Sequence, residues 1–301
     1  MDRFEAMRVL LAVVDTGGFS AAARRIGSPL ATVSRRVADL ESHLGIRLLN
    51  RTSRRIELTD AGRDYVEAAR RILSEVGEAE RAVAGEYASP RGLLTVTAPL
   101  VFGRLHVVPV IVEFLKAYPD VSVNLTLNDR IVSFDEDHID AAIRIGVLPP
   151  SSLVAVRLGE VRRIVCASPD YLVARGEPKR PADLQGHGCI AFEGMVMADG
   201  WRFGDGKSGA SVPIRSRLSV NTAEAAIDAA IAGLGVTRVL SYQVATPLRD
   251  GRLRTVLDEY APPPLPVHLV RATGRMPPHK VRALFDFAAP RLRASLGALA
   301  R

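Results

Sequence analysis

Apolar residues recur at intervals of three and four along the first part of the chain, and this spacing predicts helices. The first helix is predicted over residues 2–16, with Asp2 as its N-cap. A short second helix is predicted over residues 21–26, where Ser20 just before it can accept a backbone N–H and Gly27 interrupts the helix. The first helix is expected to be a scaffold for those that follow.

The third helix is predicted from Pro29 to about Leu44. Ser28 is its candidate N-cap, and Pro29 suits the first helical position because its missing N–H would be unpaired there. Apolar residues spaced by four, three and four share one face: Val33, Val37, Leu40 and Leu44. At about 100° per residue, the opposite face carries Ala31, Arg35, Ala38 and Ser42, with Thr32 and Ser34 on the flanks.

Two helices joined by a short glycine-containing turn form the helix-turn-helix motif, whose second helix enters the DNA major groove. Pairs of amphipathic helices are common, so the pattern alone also fits a purely structural role. Charge favours DNA binding, since residues 20–55 contain only two acids, Asp39 and Glu41. The same segment contains many arginines: Arg24, Arg25, Arg35, Arg36, Arg47, Arg51, Arg54 and Arg55. An arginine-rich surface on such a motif is typical of contact with a phosphate backbone.

A small hairpin is predicted after this motif. Residues 46–49 and 55–58 are short runs that contain apolar residues, and a polar stretch separates them. The hairpin can be a solvated turn, or it can be a wing whose Arg51 and Arg54 contact phosphate or the minor groove.

A long helix is predicted from Thr59, which can cap it, to about Tyr87. Its apolar positions alternate at four and three and form a heptad seam: Tyr65, Ala69, Ile72, Val76, Ala79 and Val83. Such a seam needs a partner surface. It can pack on the rest of the chain or on a second copy, and we favour the dimer.

From Arg91 onwards, strand-like runs alternate with helical ones, which predicts an α/β region with mostly parallel sheets. One helix is predicted over residues 100–118, with Pro109 expected to kink it. A short helix or turn is predicted at residues 131–136, and a glycine-rich hairpin at residues 204–209.

The composition fits a basic protein with two or three domains. The chain has 301 residues, 48% of them apolar, and a formal net charge of +7. Only four of its 40 basic residues are lysine, and arginine is the better donor to phosphate and guanine. With two cysteines, no evident signal peptide and no long apolar stretch, we expect a cytoplasmic protein with free thiols and no membrane partner.

The N-terminal segment resembles the signature of LysR-type transcriptional regulators. The resemblance rests on an ordered set of motifs: Phe19-Ser20-Ala21-Ala22-Ala23, Val33-Ser34-Arg35, Leu40-Glu41, Leu44-Gly45-Ile46-Arg47-Leu48-Leu49, Arg51-Thr52 and Leu58-Thr59-Asp60-Ala61-Gly62. The set spans over forty residues, so it is far more specific than any one motif. The chain departs from the family at Leu30-Ala31, where many members carry Gln-Pro, which bears on the preferred operator sequence rather than on DNA binding.

The resemblance implies an α+β multidomain protein. An N-terminal winged helix-turn-helix would occupy residues 1–58, and a linker and dimerisation helix residues 59–90. A C-terminal effector-binding α/β domain would occupy residues 91–301 and look like a two-lobed periplasmic binding protein. The family also implies a homodimer or homotetramer that binds double-stranded promoter DNA and a small-molecule effector.

The same resemblance implies where the two lobes divide. The first lobe would comprise residues 91–161 and 268–301, and the second residues 162–267. Crossover strands near Val161 and Val267 would form the hinge.

The residues expected to contact DNA lie at the start of the second helix, on the third helix and in the wing. They are Ser20, Leu30, Ala31, Thr32, Ser34, Arg35, Arg36, Arg51, Arg54 and Arg55.

Candidate effector-binding residues lie where strands end and helices begin, because ligands bind beyond the carboxyl ends of strands in doubly wound sheets. They are Thr97, Ala98, Pro99, Leu100, Val101, Arg144, Ile145, Gly146, Phe192, Asn221 and Thr222. Free N–H groups at the helix start and apolar walls suit a small organic or aromatic carboxylate. Asn221 can instead be a simple helix cap, and Arg144 can instead pair with Asp140.

Catalytic, metal and cofactor sites are not expected. His187 and Cys189 with Cys166 fit a loop histidine and buried thiols better than a metal site, which needs more ligands. Gly206-Lys207-Ser208 lacks the upstream glycine of a P-loop and fits a turn. The expected function is transcriptional regulation; an enzyme with a fused DNA-binding head and a ligand-independent chromatin binder are the alternatives.

Overall fold

The protein, described from a computed structural model, divides into two compact units, Met1–Gly92 and Leu93–Arg301, each with its own hydrophobic core. The structure describes residues 1–51, 56–83, 89–129, 134, 139–149, 153–192, 200–204, 211–273 and 277–299.

The first unit packs helices around a small core beside a hairpin. Its elements are α1 (Arg3–Thr16), α2 (Phe19–Ile26), α3 (Leu30–Leu44), β1 (Leu49–Arg51), β2 (Ile56–Leu58) and α4 (Asp60–Val83). Asp2 caps α1 as predicted, since its Oδ1 accepts the N–H of Phe4 at 3.0 Å and of Glu5 at 3.2 Å. The core joins all three N-terminal helices and includes Leu10, Val33 and Val37.

Both helix starts in the helix-turn-helix were predicted wrongly, that of α2 two residues too late and that of α3 one residue too early. The N–H of Ala22 already bonds to the carbonyl of Gly18 at 2.9 Å, so α2 begins at Phe19 and Ser20 lies within its first turn instead of capping it. The carbonyl of Pro29 likewise accepts the N–H of Val33 at 3.2 Å, so Pro29 is itself the cap residue of α3. Neither cap residue accepts a hydrogen bond through a side chain, so neither Ser20 nor Ser28 caps its helix.

The apolar faces of the helices were predicted well in their middles and poorly at their ends. Val33, Val37 and Leu40 are fully buried, whereas Leu44 in the last turn of α3 is 38% exposed. Phe4, in the first turn of α1, is also exposed. A terminal turn extends past the neighbouring helices, so its apolar residues have less to pack against.

The predicted hairpin is present but begins later than expected. β1 and β2 pair antiparallel, with Leu49 opposite Leu58, and Ile46 is exposed outside the strand. Gly62 makes this packing possible: a Cβ there would lie 2.0 Å from the carbonyl oxygen of Leu48. Thr59 caps the helix that follows, its Oγ1 accepting the N–H of Gly62 at 2.9 Å.

The second unit contains two five-stranded sheets in its described part. The strands are β3 (Gly92–Ala98), β4 (Val121–Leu127), β5 (Ala141–Ile145), β6 (Leu153–Val161), β7 (Arg163–Ala167), β8 (Cys189–Phe192), β9 (Trp201–Arg202), β10 (Ser211–Val212), β11 (Ser216–Val220), β12 (Val236–Leu240), β13 (Arg254–Val256) and β14 (Leu265–Ala272). The first sheet has the order β4-β3-β5-β14-β6 and the second β11-β8-β12-β7-β13, while β9 and β10 pair separately.

The sheets are mixed, so the prediction of mostly parallel sheets was wrong. β3–β5, β11–β8 and β12–β8 are parallel, whereas β14 is antiparallel to both β5 and β6, and β7 is antiparallel to both β12 and β13. The cause is the double crossing between sheets. The chain leaves the first sheet after Val161, enters the second at Arg163 and returns at Leu265, which pairs with Val161. Because β14 runs back beside β6, it must be antiparallel to it.

The family resemblance implied that the chain returns to the first lobe at residue 268. The strand that re-enters the first sheet, β14, begins three residues earlier, at Leu265. Helices cover the sheets: α5 (Leu100–Phe102), α6 (Val108–Ala117), α7 (Pro169–Arg175), α8 (Ala223–Ile231), α9 (Ser241–Arg249) and α10 (His279–Leu299). A π-helical segment, Gly103–Val107, joins α5 to α6. The irregularity predicted from Pro109 therefore lies in the turns just before it, where the missing proline N–H disturbs the helical hydrogen bonds.

Some predicted elements lie outside the described residues. These are most of the helix or turn at residues 131–136, the tip of the hairpin at residues 204–209, and the end of the long helix beyond Val83. α7 was not predicted, because only Tyr171 and Leu172 form its buried side and such a short run shows no periodicity.

Candidate functional site

The outward face of α3 is the predicted recognition surface, and it is open to solvent. Ala31, Arg35, Ala38 and Ser42 are all exposed, as is Leu30 in its first turn, while Thr32 and Ser34 are half-buried. Within the described residues, Arg35 takes part in no ion pair. A guanidinium on the outward face of the second helix of the motif can therefore reach base edges without first breaking an internal contact.

Arg36 lies differently from its neighbour. Its side chain is half-buried and its Nη1 donates to Oε1 of Glu5 in α1 at 2.6 Å. This contact ties α3 to α1, so the geometry gives Arg36 a scaffold role that the sequence did not reveal. Ser20 is exposed in the first turn of α2.

The wing is described only in part. Arg51 belongs to β1, and Arg54 and Arg55 lie outside the described residues. What the structure shows is how the wing is attached: Oε1 of Glu41, on α3, accepts the N–H of Leu48 at 2.8 Å and of Leu49 at 3.0 Å. The carboxylate therefore fixes the first strand of the hairpin beside α3.

Glu41→Ala should destabilise the first unit by about 1–3 kcal/mol, because it leaves two buried N–H groups without their acceptor. The measurement is urea unfolding of the 1–92 fragment, which has its own core. Asp39→Ala is the matched control, since Asp39 is an exposed carboxylate on the same helix. Equal stability of the two variants would show that Glu41 does not hold the wing.

The seam of α4 has two parts. Tyr65 packs against the core of the first unit and Ala69 is fully buried, so this half is covered by the chain itself. Ile72 is 37% exposed and Val76 is half-buried. The side chains of Ala79 and Val83 lie outside what the structure describes. The surface left for a partner therefore starts near Ile72.

The predicted effector residues of the first sheet lie along one edge. β3 and β5 are parallel neighbours with Thr97 opposite Ala142, so both strands end at the same edge. Thr97 is 4% exposed, and within the described residues its hydroxyl forms no hydrogen bond. Arg144 is the next-to-last residue of β5 and Gly146 directly follows the strand at this edge. Burial lowers the pKa of the Arg144 guanidinium.

The second sheet places its own candidates together in the same way. β8 and β11 are parallel, and Phe192 lies opposite Val220, directly before Asn221. Thr222 is the helix cap, because its Oγ1 accepts the N–H of Ala225 at 3.4 Å. Asn221 is therefore exposed at this edge and does not cap α8.

The two edges meet through contacts between the sheets' helices. Arg104, just after α5, donates to Oε1 of Glu224 in the first turn of α8 at 3.0 Å. The rings of Phe102 and Tyr242 pack edge to face, with centroids 5.3 Å apart. These contacts place α5 and Arg104 against the starts of α8 and α9.

A carboxylate of the chain already occupies the helix start at which an effector carboxylate was expected. Oδ1 of Asp129 accepts the N–H of Leu100 at 3.1 Å. Burial raises the pKa of Asp129, the bond from Leu100 opposes this, and the charge of Glu224 raises the pKa further. Asp129 was not among the predicted site residues. It follows the end of β4, the strand beside β3, so the expectation that ligands bind beyond the carboxyl ends of strands could have identified it.

The histidine and thiols considered as metal ligands have other partners. The Nδ1 of His187 and the hydroxyl of Tyr171 lie 3.2 Å apart in a hydrogen bond. Burial raises the pKa of Cys166 to about 12 and that of Cys189 to about 11, so both remain thiols. In the described part of the chain, acidic, histidine and cysteine side chains form no group suited to a metal ion. No helix there combines the length and apolar content needed to cross a bilayer.

Comparisons with known proteins match both units. Residues 4–63 match the family described as "Bacterial regulatory helix-turn-helix protein, lysR family", and residues 88–293 match "LysR substrate binding domain". An HTH-type transcriptional regulator of Xanthomonas campestris is 36% identical over 288 residues, which cover 94% of this chain and 84% of that protein. The HTH-type transcriptional activator TtdR of Escherichia coli is 34% identical over 256 residues, covering 85% of this chain and 83% of TtdR.

Solved structures of regulators match over nearly the whole chain. The virulence activator AphB of Vibrio cholerae, a member of the LTTR family, matches with 25% identity and a TM-score of 0.60, covering 95% of this chain and 98% of AphB. CrgA of Neisseria meningitidis, a LysR-type transcriptional regulator, matches with 29% identity and a TM-score of 0.56, covering 98% and 97%. The relatives compared are regulators of transcription, not enzymes.

Proposed function

Because the chain belongs to the family of LysR-type transcriptional regulators, we propose that it binds promoter DNA through the outward face of α3 and that a small molecule in the cleft of its second unit alters this binding. The observation that carries the proposal is the exposed Arg35 on the second helix of a helix-turn-helix, which joins no ion pair in the part of the chain that the structure describes. The test is competition between labelled DNA flanking its own gene and unrelated DNA. The full chain should prefer the flanking DNA, and equal affinity for both would reject sequence-specific binding.

Residues 1–58 serve as the DNA-binding domain, residues 59–90 as the linker and dimerisation helix, and residues 91–301 as the effector domain. The protein acts as a homodimer or homotetramer in the cytoplasm, where its DNA is. For a ligand to regulate DNA binding it must prefer one conformation of the protein. The chain connects the two sheets twice, and a ligand bound between them can favour one relative position of the sheets over another.

The effector in this proposal is a small organic or aromatic carboxylate. Asp129 supports this class, because its own carboxylate is held by the N–H of Leu100. A ligand carboxylate would take the place of Asp129 there or use the amides that follow, and Arg144 supplies positive charge at the neighbouring strand end. Pro99, Ile145 and Phe192 are apolar and suit the body of the ligand.

Thr97→Val should weaken binding of the carboxylate by about 0.5–1.5 kcal/mol, or up to about 3 kcal/mol if the bond is to a charged group. The substitution keeps the volume of the side chain and removes its hydroxyl. Calorimetric titration of the 91–301 fragment with a carboxylate panel measures the loss, and Thr126→Val, an exposed threonine on β4, is the control. A ligand whose affinity ignores Thr97→Val, or one that is cationic, would disprove the proposed site.

Asp129→Asn should strengthen carboxylate binding by about ten-fold, since it removes a like charge from the same helix start. Wild-type affinity should rise as the pH falls toward the raised pKa of Asp129. Asp129 has a raised pKa, and a bound anion raises it further, so binding takes up a proton. The variant should lose this pH dependence. Weaker binding by Asp129→Asn would mean that Asp129 assists the ligand instead of competing with it.

A further inference from the structure

A concave surface lies at the edge of the first sheet, lined by residues other than those of the candidate effector site. It is a groove of about 660 Å³ between the edge strand β6 and the helix α10. Ligand sites in proteins typically have volumes of about 300–1,000 Å³, so the groove has room for a small organic molecule. Its floor is apolar and includes Val154 and Val156 from the strand and Phe285 and Ala289 from the helix.

The groove is rich in positive charge. Arg271, near the end of β14, and Arg282 and Arg293, on α10, line it, whereas Asp286 supplies the only carboxylate among the described lining residues. Two positive charges are therefore in excess. Among the described residues, none of the three arginines forms an ion pair, although arginines elsewhere in this unit do, as Arg291 does with Glu113 at 3.0 Å.

Two of these arginines are held in position by the fold. The guanidinium of Arg271 lies over the ring of Phe285, with its carbon 6.0 Å from the ring centroid, and its Nη1 donates to the carbonyl of Ala272 at 3.0 Å. The Nε of Arg293 donates to the carbonyl of Arg157 at 3.0 Å. Each retains further N–H donors, so the groove offers guanidinium groups that need little ordering when an anion binds.

The lining residues of α10 also share one helical face. Arg282, Phe285, Asp286, Ala289 and Arg293 are spaced by three, one, three and four, and the apolar members of this face, Phe285 and Ala289, also belong to the core. The charged side chains of this face therefore lie beside an apolar floor that the core of the unit holds in place.

We propose that this groove is a second binding site, for an organic anion whose apolar body lies on the floor while its carboxylate is bound by the arginines. An organic anion can contact both the apolar floor and the arginines above it. A neutral ligand would not pair with the arginines, and an inorganic anion would leave the apolar floor exposed to water. The proposal is independent of the effector cleft, because the groove shares none of its residues with that site.

The probe is 4-fluorobenzoate, followed by fluorine NMR while the full chain is titrated. Arg271→Gln and Arg282→Gln should each weaken binding at the groove by about ten-fold or more, since each removes a charge-assisted contact. Arg291→Gln is the matched control: it makes the same charge change on the same helix, but Arg291 pairs with Glu113 and lies outside the groove. Its dissociation constant should stay within about two-fold of wild type, as screening reduces long-range effects.

Two further experiments distinguish binding at the groove from binding at the effector site, and the contribution of the ligand's charge from that of its shape. Thr97→Val, in the cleft, should leave binding at the groove unchanged, and 4-fluorobenzyl alcohol, which has no charge, should bind much more weakly than the acid. The proposal is overturned if Arg282→Gln binds like wild type, if Arg291→Gln loses as much as Arg282→Gln, or if all binding is lost in Thr97→Val. Absence of binding by folded wild-type protein at millimolar probe also overturns it.

Discussion

Replacing Arg35 with alanine is expected to cost about 1–3 kcal/mol of discrimination between operator and unrelated DNA, the value of a good bidentate base contact. The side chain is exposed on the outward face of α3, opposite the buried Val33 and Val37. Because no ion pair within the described residues holds it, its loss should not disturb the fold. The affinity for unrelated DNA should fall much less than the affinity for the operator.

The measurement is fluorescence anisotropy with operator and unrelated duplexes at several salt concentrations. Arg8→Ala is the control. Arg8 is exposed on α1, so this substitution removes the same charge from a position outside the recognition face. The ratio of the two affinities should fall about ten-fold or more for Arg35→Ala and stay constant for Arg8→Ala. An unchanged ratio for Arg35→Ala would show that α3 does not read the bases.

Replacing Ile72 with glutamate is expected to separate the protein into monomers and abolish tight operator binding. Ile72 is the exposed residue at which the seam of α4 leaves its own unit, and Val76 follows it on the same face. A charge buried there against a partner helix lacks a compensating group, and its desolvation costs several kcal/mol. Val76→Glu should act in the same direction.

Sedimentation velocity and operator titration of the same samples measure the two effects together. Glu67→Lys is the control, since Glu67 is exposed on the opposite side of α4 and the change reverses a charge off the seam. It should sediment like wild type. A dimeric Ile72→Glu protein that binds its operator normally would contradict a dimerising α4.

The parts of this structure that follow from local spacing were predictable, and those that depend on distant partners were not. The buried face of α3 follows from residues three and four apart, so Val33, Val37 and Leu40 were identified. The bond from Arg36 to Glu5 joins residues 31 apart. No helical spacing reveals this contact, so it was not predicted from the sequence.

The candidate effector site was likewise predictable only where local sequence features mark it. Strand ends and helix starts located Thr97, Arg144 and Thr222, because each lies at a recognisable boundary in the sequence. The bond of Asp129 to the N–H of Leu100 spans 29 residues, and the ion pair of Arg104 with Glu224 spans 120 residues. Such contacts follow from the order of strands in the sheets, which places β4 beside β3 and brings the chain from the first sheet to the second and back.

Protection of DNA flanking the protein's own gene by the full-length chain tests the central claim most directly. The account predicts two protected half-sites centred roughly one helical turn apart, or a multiple of it, with protection lost in Arg35→Ala. Protection spread evenly along the fragment, without preferred half-sites and unaffected by Arg35→Ala, would contradict it.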